Sequence, residues 1–388
     1  MVKEYICEQC GKVFHQKGHF TNHQNRKRPC KPIENKIIEE KVKEKLQELS
    51  ENGDIEIKNK NLNIINQNNN TNKMDNISKK DIPRPLLKWV GGKGQIIDKL
   101  IKMIPKDINN YYELFLGGGS FLIMVLWAKS KGLINIKGTI NVYDLNEALI
   151  GTYVNIRASK EELFKEIKII EDEFNTCIKK GIINRKPINI NDAKTSKESY
   201  YYWIRKLYNE AEDKKCIKSS AYFIFLNKTG FRGMYREGPN GFNIPYGNNK
   251  NPKIIDKDEL DYISDLIQEV NFLNYDFSKS FECIDSENND SKNFIYMDPP
   301  YAPENNKSFV GYTKDGFDIK QHELLFNLTK KISEKNNIMM SNADVKLIRD
   351  NLSPEIFTYE VVSCRRAINS KNPGAKADEV IITNYLNE

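Results

Sequence analysis

No stretch of this 388-residue chain is apolar for long enough to cross a bilayer, and Met1-Val2-Lys3-Glu4 begins no secretory leader. Neither membrane insertion nor export is therefore expected. Cysteine is scarce and uneven: of seven, three fall within the first thirty residues, which does not make a disulfide framework for so long a chain. Cys177, Cys216, Cys283 and Cys364 stand singly and read as ordinary thiols, so an intracellular, reducing compartment is expected, cytoplasm and nucleus being indistinguishable. A dominant charge is also lacking. A net charge of +7 with pI ≈ 8.7 suits nucleic acid but is diluted over too many residues to specify it. What remains is room for two or three domains and a sizeable core.

The most informative segment is Asp298-Pro299-Pro300-Tyr301, directly after the apolar run Phe294-Ile295-Tyr296-Met297. It reads as a strand ending in a rigid turn with one acid and one aromatic ring. The exocyclic amine of adenine or cytosine is a poor nucleophile because its lone pair is delocalised into the ring. A carboxylate and a backbone carbonyl that accept its two hydrogens return the pair to nitrogen, and proline fixes φ so that such carbonyls point in a set direction. Tyr301 can stack on the base.

Two upstream segments extend the pattern. Leu87-Lys88-Trp89-Val90-Gly91-Gly92-Lys93 precedes Glu113-Leu114-Phe115-Leu116-Gly117-Gly118-Gly119-Ser120, a strand running into three glycines and an apolar helix. Backbone without side chains at such a turn can approach a nucleotide-like ligand closely, although a glycine run alone is weak evidence. Ile140-Asn141-Val142-Tyr143 then ends at Asp144, and an acid at the tip of the second strand is where doubly wound folds hold ribose hydroxyls.

In that order, LKWVGGK, ELFLGGGS, VYDLN and YMDPPY resemble the Dam-like, α-group family of DNA adenine-N6 methyltransferases, over residues 84 to 386. The resemblance implies an α/β, Rossmann-like sheet with a helical target-recognition insert at about 155–260, S-adenosyl-L-methionine as cofactor and double-stranded DNA as partner. It implies cofactor contacts at Trp89, Lys93, Phe115, Gly117, Asp144, Asp276 and Asp298, and a catalytic turn of Asp298, Pro299, Pro300 and Tyr301. Phe225 to Arg236 and Phe242 to Gly247 resemble the family's DNA-reading hairpin, which implies DNA contacts at Arg232, Arg236, Pro245 and Tyr246 and a GATC target. Arg232 stands where several family members carry Asn. Arginine suits guanine because two parallel donors match O6 and N7. The aromatic run Tyr200-Tyr201-Tyr202-Trp203 is expected in the core.

The first 31 residues form a separate expectation. Cys7-x2-Cys10, twelve residues to His23 and six to Cys30 give a tetrahedral ligand set suited to one structural Zn²⁺, and Tyr5, Phe14 and Phe20 sit where a small ββα finger needs apolar residues. The segment resembles a C2H2 finger with Cys30 in place of the second histidine. His19 is the competing ligand. Such a finger could bind DNA or a protein partner. Residues 32–82 read as an amphipathic helix at 37–49 followed by an Asn-rich tether, with too few heptads for a coiled coil, so a monomer is expected. The enzyme domain is expected at 83–388. Two other readings stay open: a zinc-finger DNA-binding protein with an inactive methyltransferase fold, and a methyltransferase for RNA or a protein glutamine. Pairing with a restriction endonuclease and stand-alone marking look identical in sequence.

Overall fold

The computed structural model describes residues 5–7, 13–14, 16–24, 74, 77–178, 181–286, 293–303, 316–365 and 376–386. The chain divides into two compact units, residues 1–72 and 73–388. In the first, Tyr5–Ile6 pairs antiparallel with Val13–Phe14, and a helix follows at Lys17–Gln24. Tyr5 stacks on Phe20 at 5.8 Å, and Phe14 lies 4.8 Å from the His23 ring. Cys7 and His23 are buried. Cys10, Cys30 and the helix expected at 37–49 lie outside the described residues.

The second unit is built on a seven-stranded sheet. Its strands are β1 (Tyr111–Glu113), β2 (Ile140–Tyr143), β3 (Val270–Leu273), β4 (Phe294–Met297), β5 (Asn337–Ala343), β6 (Thr358–Arg365) and β7 (Lys376–Thr383). They lie in the order β6-β7-β5-β4-β1-β2-β3, all parallel except β7, which runs antiparallel between β5 and β6. β1, β2 and β4 are buried at every position, the mark of parallel strands covered on both faces. Helix α1 (Ser120–Ser130) is almost wholly apolar and buried from Phe121 to Ala128, so it packs on the sheet as core; Phe121 lies flat on Tyr296.

Between β2 and β3 the chain builds a mainly helical block. It comprises α2 (Glu147–Ala158), α3 (Lys160–Thr176), α4 (Lys197–Glu210), α5 (Ile217–Thr229) and α6 (Lys257–Leu266). α5 is its centre: Phe225 meets Phe174 of α3 and Tyr200 of α4 edge-on. Tyr200 and Tyr201 are fully buried, as core residues. After α5 comes a tight turn at Phe231–Gly233 and a short hairpin, Glu237–Gly238 with Gly241–Phe242. The block is followed by β3, then α7 (Phe277–Ser286), β4 and α8 (Ile319–Ser333). Packing of this unit begins earlier than residue 83, since Met74, Ile77 and Ile82 already join its core.

The chain leaves β1 toward β2 and β3, then returns to place β4 on the other side of β1. That reversal opens a crevice beyond the carboxyl ends of β1 and β4, where open α/β sheets bind ligands. Register sets its contents: Glu113 pairs with Tyr296, so the glycine loop and the Asp298 turn leave the sheet side by side.

Candidate active site

A cavity of about 1410 Å³ fills the crevice. It exceeds the roughly 300–1,000 Å³ that holds one drug-sized ligand, so two ligand groups fit together. Trp89, Lys93, Phe115, Gly117, Asp144, Asp276, Asp298, Pro299, Pro300, Tyr301 and Arg232 all line it.

Its polar centre is a chain of short contacts. The Lys93 ammonium, 2 % exposed, lies 2.7 Å from Asp298 Oδ1 and donates to the Gly91 carbonyl and the Tyr301 hydroxyl, both at 2.9 Å. Its three protons are thereby taken. Tyr301 in turn donates to Glu379 Oε2 on β7 at 2.8 Å, so its ring is fixed from two sides. Burial pushes the Asp298 carboxyl up to about 6; Lys93 opposes that shift and Glu379 adds to it. The turn is pinned to β5 by the Ala302 amide, which donates to Asn342 Oδ1 at 2.9 Å.

The opposite wall is bare backbone. Gly117 and Gly119 have positive φ, and a Cβ on Gly117 or Gly118 would lie 2.9 or 2.6 Å from Trp89. Glycine is thus required for Trp89 to lie on the loop. Asp144 accepts from the Gly117 amide at 2.9 Å through Oδ2 and from the Asn146 amide at 2.9 Å through Oδ1, which leaves one lone pair on each oxygen. Burial raises its pKa, and those two hydrogen bonds partly restore it. Asp276 caps α7, accepting from the Lys279 amide at 2.8 Å, while still lining the cavity. Phe115, Phe277 and Phe317 surround one end, with ring centroids 5.5 to 6.1 Å apart.

The three remaining expected residues, Arg236, Pro245 and Tyr246, are not in the cavity. Arg236 is exposed on the hairpin, where its Nε donates to Asn243 Oδ1 at 2.7 Å. Pro245 is exposed and its carbonyl accepts from the Phe231 amide at 2.9 Å. Tyr246 is half-buried against Tyr201 and Phe174, so its ring serves packing within the helical block. Arg232 sits in the turn with φ 56, a left-handed conformation unusual for a side chain with a Cβ.

Sequence reasoning passed over four residues that shape this site. Glu113 is buried at the end of β1, accepts from Tyr111 at 2.6 Å and lines the cavity; burial holds its carboxyl far above the ordinary range. Its signal was readable, since a buried acid in an apolar strand calls for a reason. Glu379, Tyr235 and Asn227 gave no local signal. Tyr235 stacks on Trp89 with centroids 5.7 Å apart. Among the described residues no group of three or more His, Cys, Asp or Glu side chains is gathered as a metal site.

A cavity at the switch point of the sheet, lined by a glycine loop, an acid after the second strand and an Asp-Pro-Pro-Tyr turn, is the ligand site of an open α/β fold. The profile of the D12 class N6 adenine-specific DNA methyltransferases matches residues 89–368, and the chain belongs to that family. It is 32% identical over 312 residues to the Type II methyltransferase M.MjaIII of Methanocaldococcus jannaschii, covering 78% of this chain and 99% of that protein. It is also 32% identical over 294 residues to the DNA adenine methylase of Haemophilus influenzae, covering 75% and 89%. Against the Retron Ec67 DNA adenine methylase of Escherichia coli the figures are 29% over 299 residues, 76% and 90%. The protein is thus an adenine-specific DNA methyltransferase by family. No helix among the described residues is long and apolar enough to cross a membrane.

Proposed function

We propose that this protein transfers a methyl group from S-adenosyl-L-methionine to N6 of adenine in double-stranded DNA, within GATC. The observation that carries the reading is the Lys93–Asp298–Tyr301 cluster, which stands across one cavity from the glycine loop and Asp144. The cavity suits the cofactor on its own terms: bare glycine backbone, a carboxylate with spare lone pairs and an aromatic end for a purine ring. Asp144 holds the ribose hydroxyls, the Phe115 end and Asp276 hold the adenine, and Trp89 covers the glycine loop. When bound, the cofactor supplies an electrophilic methyl on sulfur.

This chain's own residues prepare the amine. The target adenine leaves the base stack, at a cost of a few kcal/mol. Tyr301, held by Lys93 and Glu379, covers its ring. Asp298 and the Pro299 carbonyl accept from N6, which restores the nitrogen lone pair and places it in line, and positioning supplies most of the acceleration. Lys93 keeps Asp298 ionised at neutral pH against the pull of burial. The same ammonium lines the cavity, where it would also stand beside the cofactor's methionine end.

On the DNA side, Arg236 reads a guanine, buttressed by Asn243, with Pro245 beside it; Arg232 meets the backbone or the opened stack. Tyr246 acts by packing. The finger, with Cys7, Cys10, His23 and Cys30 on one Zn²⁺, adds contact to DNA or to a protein partner. Sequencing of modified adenines in genomic DNA from a methylation-free host that expresses the protein tests the reading. Methylation consistently outside GATC overturns the target. Absence of N6-methyladenine overturns the activity. Arg236→Ala is expected to cost ~1–3 kcal/mol of discrimination at one guanine.

A further inference from the structure

We infer that Asn227 is a positioning residue that ties the cofactor wall of the cavity to the recognition hairpin, so that occupancy of one fixes the other. The inference rests on the reading of the hairpin as the DNA-contacting element.

Asn227 is buried in the last turn of α5, far in sequence from the cofactor wall. Its side-chain oxygen accepts from the Lys88 amide at 2.9 Å, and its side-chain nitrogen donates to the Lys88 carbonyl at 2.7 Å. One carboxamide thus pairs with both backbone groups of residue 88, as a neighbouring strand would. The same nitrogen also donates to the Gly233 carbonyl at 3.3 Å. Residue 88 precedes Trp89, whose ring lies on the glycine loop. Residue 233 closes the turn from which Met234, Tyr235 and Arg236 enter the hairpin. The bracket is doubled by ring contact, since Trp89 stacks on Tyr235 with an interplanar angle of 17°. Gly233 itself fits closely: a Cβ there would lie 2.6 Å from the Lys88 Cβ.

No other side chain of this size reproduces the pairing. Aspartate would face two carbonyls with a carboxylate, and leucine would leave the amide and carbonyl of residue 88 without their side-chain partner. A ligand that settles against Trp89 therefore restricts residues 88 and 89, and through Asn227 it restricts residue 233. Ordering by one ligand leaves less ordering for the second, which couples the two affinities without a large movement. The coupling is reciprocal.

Hydrogen exchange of the full chain tests this, with sinefungin as a cofactor analogue that transfers no methyl. Sinefungin alone is expected to slow exchange at residues 233–237 as well as 89–93. Asn227→Ala should keep the protection at 89–93 and lose it at 233–237. In titrations, a duplex carrying the target should tighten sinefungin binding by roughly 5- to 150-fold in the unaltered protein. In Asn227→Ala that factor should fall toward one. Unchanged exchange at 233–237 on adding sinefungin to the unaltered protein overturns the inference, whether or not the variant folds. So does undiminished coupling in a folded Asn227→Ala. Failure of the DNA reading appears elsewhere, as unaltered guanine preference in Arg236→Ala.

Discussion

Replacing Lys93 by methionine removes a cation 2.7 Å from Asp298 while keeping most of the side-chain volume. In the unaltered protein burial holds the Asp298 carboxyl up to about 6, above the ordinary carboxylate range, with Lys93 pulling it back down. The active form is the carboxylate, so activity is lost as pH falls through about 6. The stability sign follows from the same shift: the folded chain holds a proton that the unfolded chain releases between about 4 and 6, and this carboxyl costs stability as pH rises across that window. An adjacent opposite charge lowers a carboxyl by about 1–3 pKa units, so its loss should raise Asp298 by that amount. With a rise of ~2 units, the ionised fraction at pH 7 falls from roughly nine-tenths to roughly one-tenth, a ~10-fold loss of rate that recovers near pH 9. The assay is single-turnover transfer of tritiated methyl to duplex DNA at saturating cofactor, from pH 5 to 9.5. An acid limb that stays in place or moves downward in Lys93→Met would refute the reasoning, because burial would then lack its countercharge.

Asp298→Ala is expected to fold normally by circular dichroism and to lose ~10³-fold or more in methyl transfer, the scale of a lost preorganised contact. Asp144→Ala should weaken S-adenosylmethionine binding in calorimetry with DNA affinity little altered; unchanged cofactor binding would remove Asp144 from the site. Metal analysis should find one Zn per chain, lowered by Cys30→Ala and not by His19→Ala. A chain lacking residues 1–72 should still methylate DNA, since Met74 is where packing of the second unit begins; a folded but inactive truncation would assign the first unit a catalytic part.

The sheet was legible because its central strands are short apolar runs that stop at residues with chemistry: Glu113 before the glycines, Tyr143 before Asp144, Met297 before Asp298. Strand ends in a parallel sheet share one side, so those motifs had to converge. The contacts between them were not legible. Lys93 meets Tyr301 across 208 residues and Tyr301 meets Glu379 across 78, and a long-range side-chain pair leaves no periodicity to read. Lys93 shows the consequence: the resemblance implied a cofactor contact there, and its ion pair with Asp298 and hydrogen bond to Tyr301 left no mark in the sequence. Asp276 was expected at the cofactor, and it also takes the N-cap role that an acid before Phe277 can serve equally well. Tyr246 follows a similar logic: its contacts with Tyr201 and Phe174 join residues far apart in the chain and could not be read from the sequence.

The indole of Trp89, lying on the glycine loop and stacked on Tyr235, also gives the molecule an optical signal. The chain has three tryptophans; Trp127 is buried in α1, Trp203 is half-buried in α4, and neither lines the cavity. Phenylalanine at those two positions would leave an emission that reports on the cavity alone. Ligand entry and hairpin movement would then be read by light in real time, as quenching or a spectral shift, without a label.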